Sequence, residues 1–121
     1  MASNCGLCHL NENPDQRVIL RNHTVLFLQN EKEQGALLGS GVIIPVRHAE
    51  TVFDLTPEEI DATFALLKRV KAWMDEHYHP DGYNVGWNCL AVGGQIDMHA
   101  HCMSSPGFGR NPMRDVASGI G

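Results

Sequence analysis

The stretch 54-DLTPEEIDATFALLKRVKAWMDEHYHPDG-82 carries the strongest helix signal in the chain. Thr56 is a favourable N-cap, and Glu59 completes a capping box with it. Pro57 suits the first helical position because its missing N–H would have no partner there. A Pro-Asp-Gly sequence at residues 80–82 ends the pattern. The stretch therefore predicts one long helix over about Pro57 to Tyr78, roughly 33 Å at 1.5 Å per residue.

Apolar residues recur within this helix at spacings of three and four, which places them on one face. Most of its charged residues fall elsewhere. Such a stripe is typical of a helix that packs on a sheet. The predicted stripe consists of Ile60, Phe64, Leu67, Val70 and Met74.

Five other stretches have the composition of β-strands. Each is rich in β-branched or aromatic residues or alternates in polarity, and most are bounded by Asn, Gly or Pro. Only Asn22 and His23 separate the first two, which favours a hairpin and hence antiparallel pairing. The sequence thus predicts an antiparallel α+β fold. The predicted strands are 17–21, 24–29, 41–45, 83–88 and 95–103.

Length and charge exclude several classes of protein. With 121 residues the chain forms about one domain, here 1–121, with a small core. A formal charge of −5 disfavours long nucleic acids, because clustered Lys and Arg supply most of that affinity, but it does not exclude a single nucleotide in a pocket. The N-terminus lacks a signal-peptide pattern, and no apolar stretch is long enough to span a membrane. We expect a soluble, cytoplasmic protein with reduced cysteines.

The stretch "QIDMHAHCM" at 95–103 concentrates chemically active side chains. In a strand, alternate side chains share a face, so every second residue would point to a pocket or to solvent and the others to the core. The predicted pocket face consists of Gln95, Asp97, His99, His101 and Met103. The predicted core face consists of Ile96, Met98, Ala100 and Cys102.

Cys5 and Cys8 form a C-x-x-C pair, a spacing that allows one turn to offer two thiolates to a tetrahedral ion. A redox pair is the alternative, but it is expected between a strand and a helix, and only four residues precede Cys5. Cysteines without a function are the third interpretation. A structural zinc would need two further ligands, for which His48 and His99 are candidates.

Taken together, these segments resemble the histidine triad (HIT) family. The resemblance runs through "CGLC", "GVIIPVRHAETVFDLT" and "GYNVGWNCLAVGGQIDMHAH". The family signature is His-x-His-x-His with a Gly-Gln shortly before it, which Gly94, Gln95, His99 and His101 match. The resemblance implies a HIT-like fold, a five-stranded antiparallel sheet with one long helix packed on it, and a homodimer formed through the helix and the strand beside it.

The resemblance also implies roles for individual residues. His101 matches the histidine that attacks the α-phosphate of a nucleotide. Asn88 and Gln95 match phosphate-binding positions, and Asn30 matches a position that meets the ribose. In zinc-bearing, bacterial-type members the matching metal ligands are Cys5, Cys8, His48 and His99, which would hold a structural Zn²⁺.

Met103 stands where the third histidine of the signature belongs, and Ser104 and Ser105 replace an apolar pair. A thioether cannot donate a hydrogen bond to phosphate. The resemblance therefore implies two candidate functions. One is a hydrolase or transferase that acts on nucleoside phosphoramidates or dinucleoside polyphosphates through a nucleotidyl-His101 intermediate. The alternative is a catalytically weakened, zinc-containing nucleotide-binding module without useful turnover.

Overall fold

A computed structural model describes residues 5–109 as one long helix on a five-stranded sheet. The strands are β1 (Gln16–Arg21), β2 (Val25–Asn30), β3 (Gly41–Pro45), β4 (Gly82–Trp87) and β5 (Cys102–Gly107), and the helix is α1 (Pro57–Tyr78). The strand order is β1-β2-β3-β5-β4, and every neighbouring pair is antiparallel. The predicted fold class is confirmed. Within the described range, no helix has the length and apolar character needed to cross a membrane.

The ends of α1 follow from its local sequence. The Glu59 N–H donates to Thr56 Oγ1 at 3.1 Å, and the Thr56 N–H donates to Glu59 Oε1 at 2.9 Å, so the predicted capping box is present. At the other end His79 adopts a left-handed conformation with φ of 50°, and its N–H donates to the Asp75 carbonyl. A left-handed residue is a common helix terminator, and the Pro-Asp-Gly sequence follows it.

The buried face of α1 differs from the predicted stripe. Val70 and Met74 are buried as predicted, but Ile60 is 37% exposed and Phe64 is 49% exposed. The buried residues of α1 are Glu59, Thr63, Leu66, Val70 and Met74. Polar Thr63 can be buried because its hydroxyl donates to the Glu59 carbonyl at 2.7 Å. Ile60 and Phe64 are left on an exposed flank of the helix.

Both faces of the central strands are covered. On β2, Val25 and Phe27 point toward α1, whereas Leu26 and Leu28 point to the opposite face and pack against Leu7 of the N-terminal segment. A strand buried on both faces is apolar without alternation, which accounts for the "VLFL" run. The helix-side cluster consists of Val25, Phe27, Ile43, Leu66, Val70, Met74 and Cys102.

The predicted strand at 95–103 is wrong over most of its length, because β5 begins only at Cys102. Residues 95–101 form an irregular loop, in which Ile96 is 90% exposed rather than part of the core. His99 and Ala100 are consecutive and both buried, so the side chains do not alternate between a pocket face and a core face as predicted. The Ala100 N–H pairs with the Ala49 carbonyl at 2.6 Å, so this loop lies against the segment that follows β3.

Candidate metal and nucleotide site

Two cysteines and two histidines converge beside the sheet. Cys8 Sγ lies 3.1 Å from His48 Nδ1 and 3.4 Å from His99 Nδ1, and Cys5 Sγ lies 3.5 Å from His99 Nδ1. All four ligand atoms lie within 4.8 Å of one another. The short 3₁₀ turn at Gly6–Cys8, in which the Cys8 N–H donates to the Cys5 carbonyl, brings the two thiols to the same side.

These distances fit a tetrahedral zinc. Zn–S bonds of about 2.3 Å and Zn–N bonds of about 2.0–2.1 Å place S and N about 3.5 Å apart at the tetrahedral angle. Two thiols with two imidazoles are also a donor set that zinc prefers. The other two cysteines lie outside the cluster. Burial raises the pKa of the Cys102 thiol to about 11, so it stays protonated at neutral pH.

The ring of His99 is oriented for this cluster. It is fully buried, and its Nε2 lies 2.9 Å from the Pro45 carbonyl. A carbonyl only accepts, so Nε2 carries the proton and Nδ1 presents its lone pair to the thiols. Burial, together with nearby His48, lowers the pKa of His99 and favours the neutral imidazole that binds metals.

His101 is held by the main chain of His99. Its Nδ1 lies 2.8 Å from the His99 carbonyl, so Nδ1–H donates and the lone pair is on Nε2. His99 therefore contributes its side chain to the cluster and its carbonyl to His101. This tautomer is the one in which the outer ring nitrogen can act as a nucleophile.

Asn88, the residue after the end of β4, lies close to Met103 on β5. Asn88 Nδ2 is 3.5 Å from the Gly94 carbonyl and 3.9 Å from Met103 Sδ. Gly94 has φ of 92°, and a Cβ there would lie 3.3 Å from Asn88 Nδ2. Glycine thus permits the close approach between the amide and the loop.

The other two predicted site residues, Gln95 and Asn30, are hydrogen-bonded to the protein backbone. Gln95 is 3% exposed, and its amide is hydrogen-bonded to the backbone of Leu90, Glu50 and Asp97. Asn30 lies at the end of β2, where its side-chain oxygen accepts from the Lys32 N–H at 3.0 Å. Among residues 5–109, the side-chain hydrogen bonds of Asn30 stay within this turn, so no such bond joins it to His101.

The profile of the HIT domain family matches residues 11–105. This chain belongs to the HIT family. Solved structures with the same fold include a HIT family protein from Bacillus anthracis, with a TM-score of 0.80 and 22% identity over 99% of this chain and 96% of that one. A zinc-bound histidine triad protein from Mycobacterium smegmatis has a TM-score of 0.74 and 20% identity, over 89% and 78% of the two chains. A HIT family hydrolase from Clostridium thermocellum has a TM-score of 0.71 and 19% identity, over 93% and 97%.

This HIT domain contains a brace that sequence patterns did not reveal. Arg47 forms two hydrogen bonds with the carboxylate of Glu59, Nη2 to Oε1 at 2.8 Å and Nε to Oε2 at 3.1 Å. Arg47 also donates to the carbonyls of His48 and Asp54. The hydrogen bond with Arg47 lowers the pKa of Glu59 and outweighs the opposing effect of burial. The capping box identified Glu59, but no local signal identified its partner. The brace joins the segment of His48 to the start of α1.

Proposed function

We propose that this HIT domain binds small nucleotides and hydrolyses or transfers the nucleotidyl group of nucleoside phosphoramidates or dinucleoside polyphosphates. The observation that supports this most directly is the 2.8 Å contact between His101 Nδ1 and the His99 carbonyl. In the neutral imidazole this contact places the proton on Nδ1 and leaves the Nε2 lone pair free to attack phosphorus. The similarity to a protein described as a HIT family hydrolase agrees with this assignment.

In the proposed reaction, His101 Nε2 attacks the α-phosphorus and forms a new P–N bond. The bond from phosphorus to the leaving group breaks, and the leaving group takes a proton from solvent. Water then breaks the P–N bond to His101, which releases the nucleoside monophosphate and restores the imidazole. In a transferase reaction, another nucleophile replaces this water.

The substrate is held by residues around His101. Within the described part of the chain, Asn88 Nδ2 makes only long contacts, at 3.5 Å to the Gly94 carbonyl and 3.9 Å to Met103 Sδ, so its N–H can turn to donate to a phosphate oxygen as charge builds on it. We assign Asn30 to the ribose and Gln95 to the phosphate region. Binding of phosphate in a loop of backbone N–H groups fits an acidic chain, since it needs no cluster of basic side chains.

We assign the four-residue cluster Cys5, Cys8, His48 and His99 to one structural Zn²⁺. Bound zinc would cross-link the N-terminal segment, the residues after β3 and the loop before β5. Reduced thiols at this site agree with a cytoplasmic location. Elemental analysis of protein purified without chelator should give one zinc per chain, and its absence would remove this assignment.

We further propose a homodimer formed through α1 and the edge strand β4. Phe64, Tyr83 and Val85 are exposed large apolar residues that line a groove of about 350 Å³ between these elements. A second copy would cover both the apolar side chains and the unpaired edge of β4. Light scattering should give twice the mass of one chain, and Val85→Lys should give a single chain. A monomeric wild type at micromolar concentration contradicts the dimer.

The second candidate function is a nucleotide-binding module without useful turnover. Met103 favours it, because the thioether lies beside Asn88 where the family signature has a histidine that can donate. Binding of nucleotide would then persist while the covalent step is too slow to matter.

Incubation with a fluorogenic adenosine phosphoramidate distinguishes the two functions. A hydrolase releases fluorophore, and His101→Ala abolishes the release while it retains AMP binding. If wild type binds AMP but releases no more fluorophore than His101→Ala, the binding-module function is the correct one.

A further inference from the structure

Gln95 is the most completely hydrogen-bonded side chain near the proposed phosphate site. Its Oε1 accepts from the Leu90 N–H at 2.6 Å. Its Nε2 donates to the carbonyls of Glu50, at 2.5 Å, and of Asp97, at 2.8 Å. The residue is 3% exposed, so these bonds are shielded from water.

This pattern leaves the amide without a donor for phosphate. A side-chain amide has two N–H groups and one carbonyl oxygen. Glu50 and Asp97 take both N–H groups, and the remaining lone pair on Oε1 cannot bind a phosphate oxygen because both atoms only accept. In this structure Gln95 therefore acts on the phosphate region through the backbone that it holds.

The held backbone includes a strained residue. Leu90 has φ of 64°, a conformation that is unfavourable for a side chain larger than Gly. Its N–H is fixed by the Gln95 side chain, and its carbonyl accepts from the Gln95 N–H at 2.9 Å and the Gly93 N–H at 3.0 Å. The turn at 90–95, which begins two residues after Asn88, is thus fixed at both ends through the side chain and the backbone N–H of Gln95.

The bond to Glu50 links this turn to the metal cluster. Glu50 lies two residues after His48, and its neighbour Ala49 accepts from the N–H of Ala100, which follows His99. Gln95 therefore connects the turn at 90–95 to residues 48–50. This segment carries His48, and its Ala49 carbonyl holds the residue after His99.

We propose that Gln95 is a positioning residue that couples the metal cluster to the phosphate region by fixing the turn at 90–95. The proposal rests on the proposed function for the identity of the ligand, a nucleoside phosphate. Because the backbone that Gln95 holds is shared by both sites, loosening this link weakens metal binding and phosphate binding together.

The test compares Gln95→Ala with two control variants. Asn88→Ala removes a direct phosphate donor. Gln34→Ala is a matched control, because Gln34 makes the same kind of clamp elsewhere: its amide donates to the carbonyls of Asn30 and Ser40 and accepts from the Gly39 N–H. Each variant is assayed by hydrogen exchange of the amides in 88–97 without ligand, by Co²⁺ titration of metal-free protein, and by AMP affinity.

Gln95→Ala should speed exchange of the Leu90 amide about tenfold or more and should weaken both Co²⁺ and AMP binding at least about fivefold, the low end for coupled sites. Asn88→Ala should weaken AMP binding and leave Co²⁺ affinity and exchange of the Leu90 amide unchanged. Gln34→Ala should leave Co²⁺ affinity and exchange in 88–97 unchanged.

The proposal is overturned if Gln95→Ala weakens AMP binding while exchange and Co²⁺ affinity stay at wild-type values, since that is the behaviour of a direct phosphate ligand. Gln95→Glu, which keeps the size of the side chain but cannot donate to two carbonyls, gives the same test if Gln95→Ala does not fold. If wild type itself fails to bind AMP, the proposed function is lost, yet exchange and Co²⁺ titration still decide whether Gln95 couples the turn to the cluster.

Discussion

The two faces of the sheet are covered and stabilised by different kinds of contact. The face toward α1 is covered by a continuous apolar cluster of seven buried residues that includes Phe27, Leu66 and Met74. The opposite face has a cluster of four, Leu7, Leu26, Leu28 and Ile44, and beside it lie the four residues of the candidate metal site. The first face, which we call the helix-held face, is stabilised mainly by the burial of apolar area against α1. The second, which we call the ligand-held face, has a smaller apolar cluster and is stabilised in addition by directional contacts among Cys5, Cys8, His48 and His99.

Substitutions on the two faces should therefore have different effects on the position of His101 and on the stability of the fold. His101 is positioned by the carbonyl of His99, and the His99 ring belongs to the metal cluster. A substitution in the candidate metal site on the ligand-held face should therefore change both the local stability and the orientation of the His101 ring. Damage to the helix-held face should lower stability while His101 keeps its geometry in the folded molecules.

The largest expected effect is on the ligand-held face. Cys8→Ser should lower the free energy of unfolding by several kcal/mol, a part of the roughly 10–16 kcal/mol that structural zinc contributes in small zinc-finger peptides. Urea denaturation with and without chelator measures it. Cys89→Ser is the matched control, because Cys89 is a thiol outside the cluster. Equal stability of the two variants would contradict the comparison.

The next effect is on the helix-held face. Leu66 is fully buried, so Leu66→Ala should cost about 2–5 kcal/mol by leaving a cavity. Urea denaturation should show this loss, while Co²⁺ affinity of the folded protein stays within about twofold of wild type because the site is independent. Ile60→Ala, at a partly exposed position of the same helix, should cost less. A large fall in Co²⁺ affinity for Leu66→Ala would mean that the two faces are not independent.

A third change acts on the ligand-held face without touching the cluster. Met103→His should raise turnover about ten- to a hundredfold, because a donor to a charged phosphate oxygen contributes about 1.5–3 kcal/mol. Steady-state hydrolysis of the phosphoramidate measures it. Met98→His makes the same substitution in the neighbouring loop and should gain nothing. An equal rate for both variants and wild type would show that the missing donor does not limit the reaction.

The smallest expected effect is on the Arg47–Glu59 brace, which joins the segment of His48 to the start of α1. The hydrogen bond with Arg47 lowers the pKa of Glu59, so this bond stabilises the fold above the unfolded pKa of about 4.3 and is lost as pH falls through the lower folded value. Wild type should exceed Glu59→Gln in unfolding free energy by a constant amount from pH 7 to 5, and the difference should shrink below about pH 4.3. Urea titrations across this range measure it. A difference that grows on acidification would contradict the assignment.

Local signals in the sequence predict the scaffold well. Thr56, Pro57 and Glu59 place the start of α1, and the strands β1 to β4 begin and end within one residue of their predicted positions. These elements are specified by neighbours in the chain. The exposed flank of α1 was not foreseen, because Thr63 satisfies its own hydroxyl within the helix and occupies a buried position that the pattern gave to Phe64.

The loop before β5 could not be predicted in the same way. Its conformation depends on bonds from Gln95 to Glu50, 45 residues away, and from Ala100 to Ala49. The alternating polarity of "QIDMHAHCM" is typical of a strand. The backbone conformation of this stretch is instead determined by hydrogen bonds to residues distant in sequence. The spacing of Cys5 and Cys8 indicated a metal on its own, whereas His48 and His99 were identified as specific partners only through the family resemblance.

We propose that His101, held by the His99 carbonyl, carries the nucleotide covalently during the reaction. Intact-mass measurement after rapid quenching with adenosine phosphoramidate tests it most directly. We expect one acid-labile nucleotidyl group on wild type, a larger labelled fraction of Met103→His, and none on His101→Ala. If wild type and Met103→His both bind AMP and neither forms the adduct, the covalent mechanism is contradicted and the domain is a nucleotide-binding module.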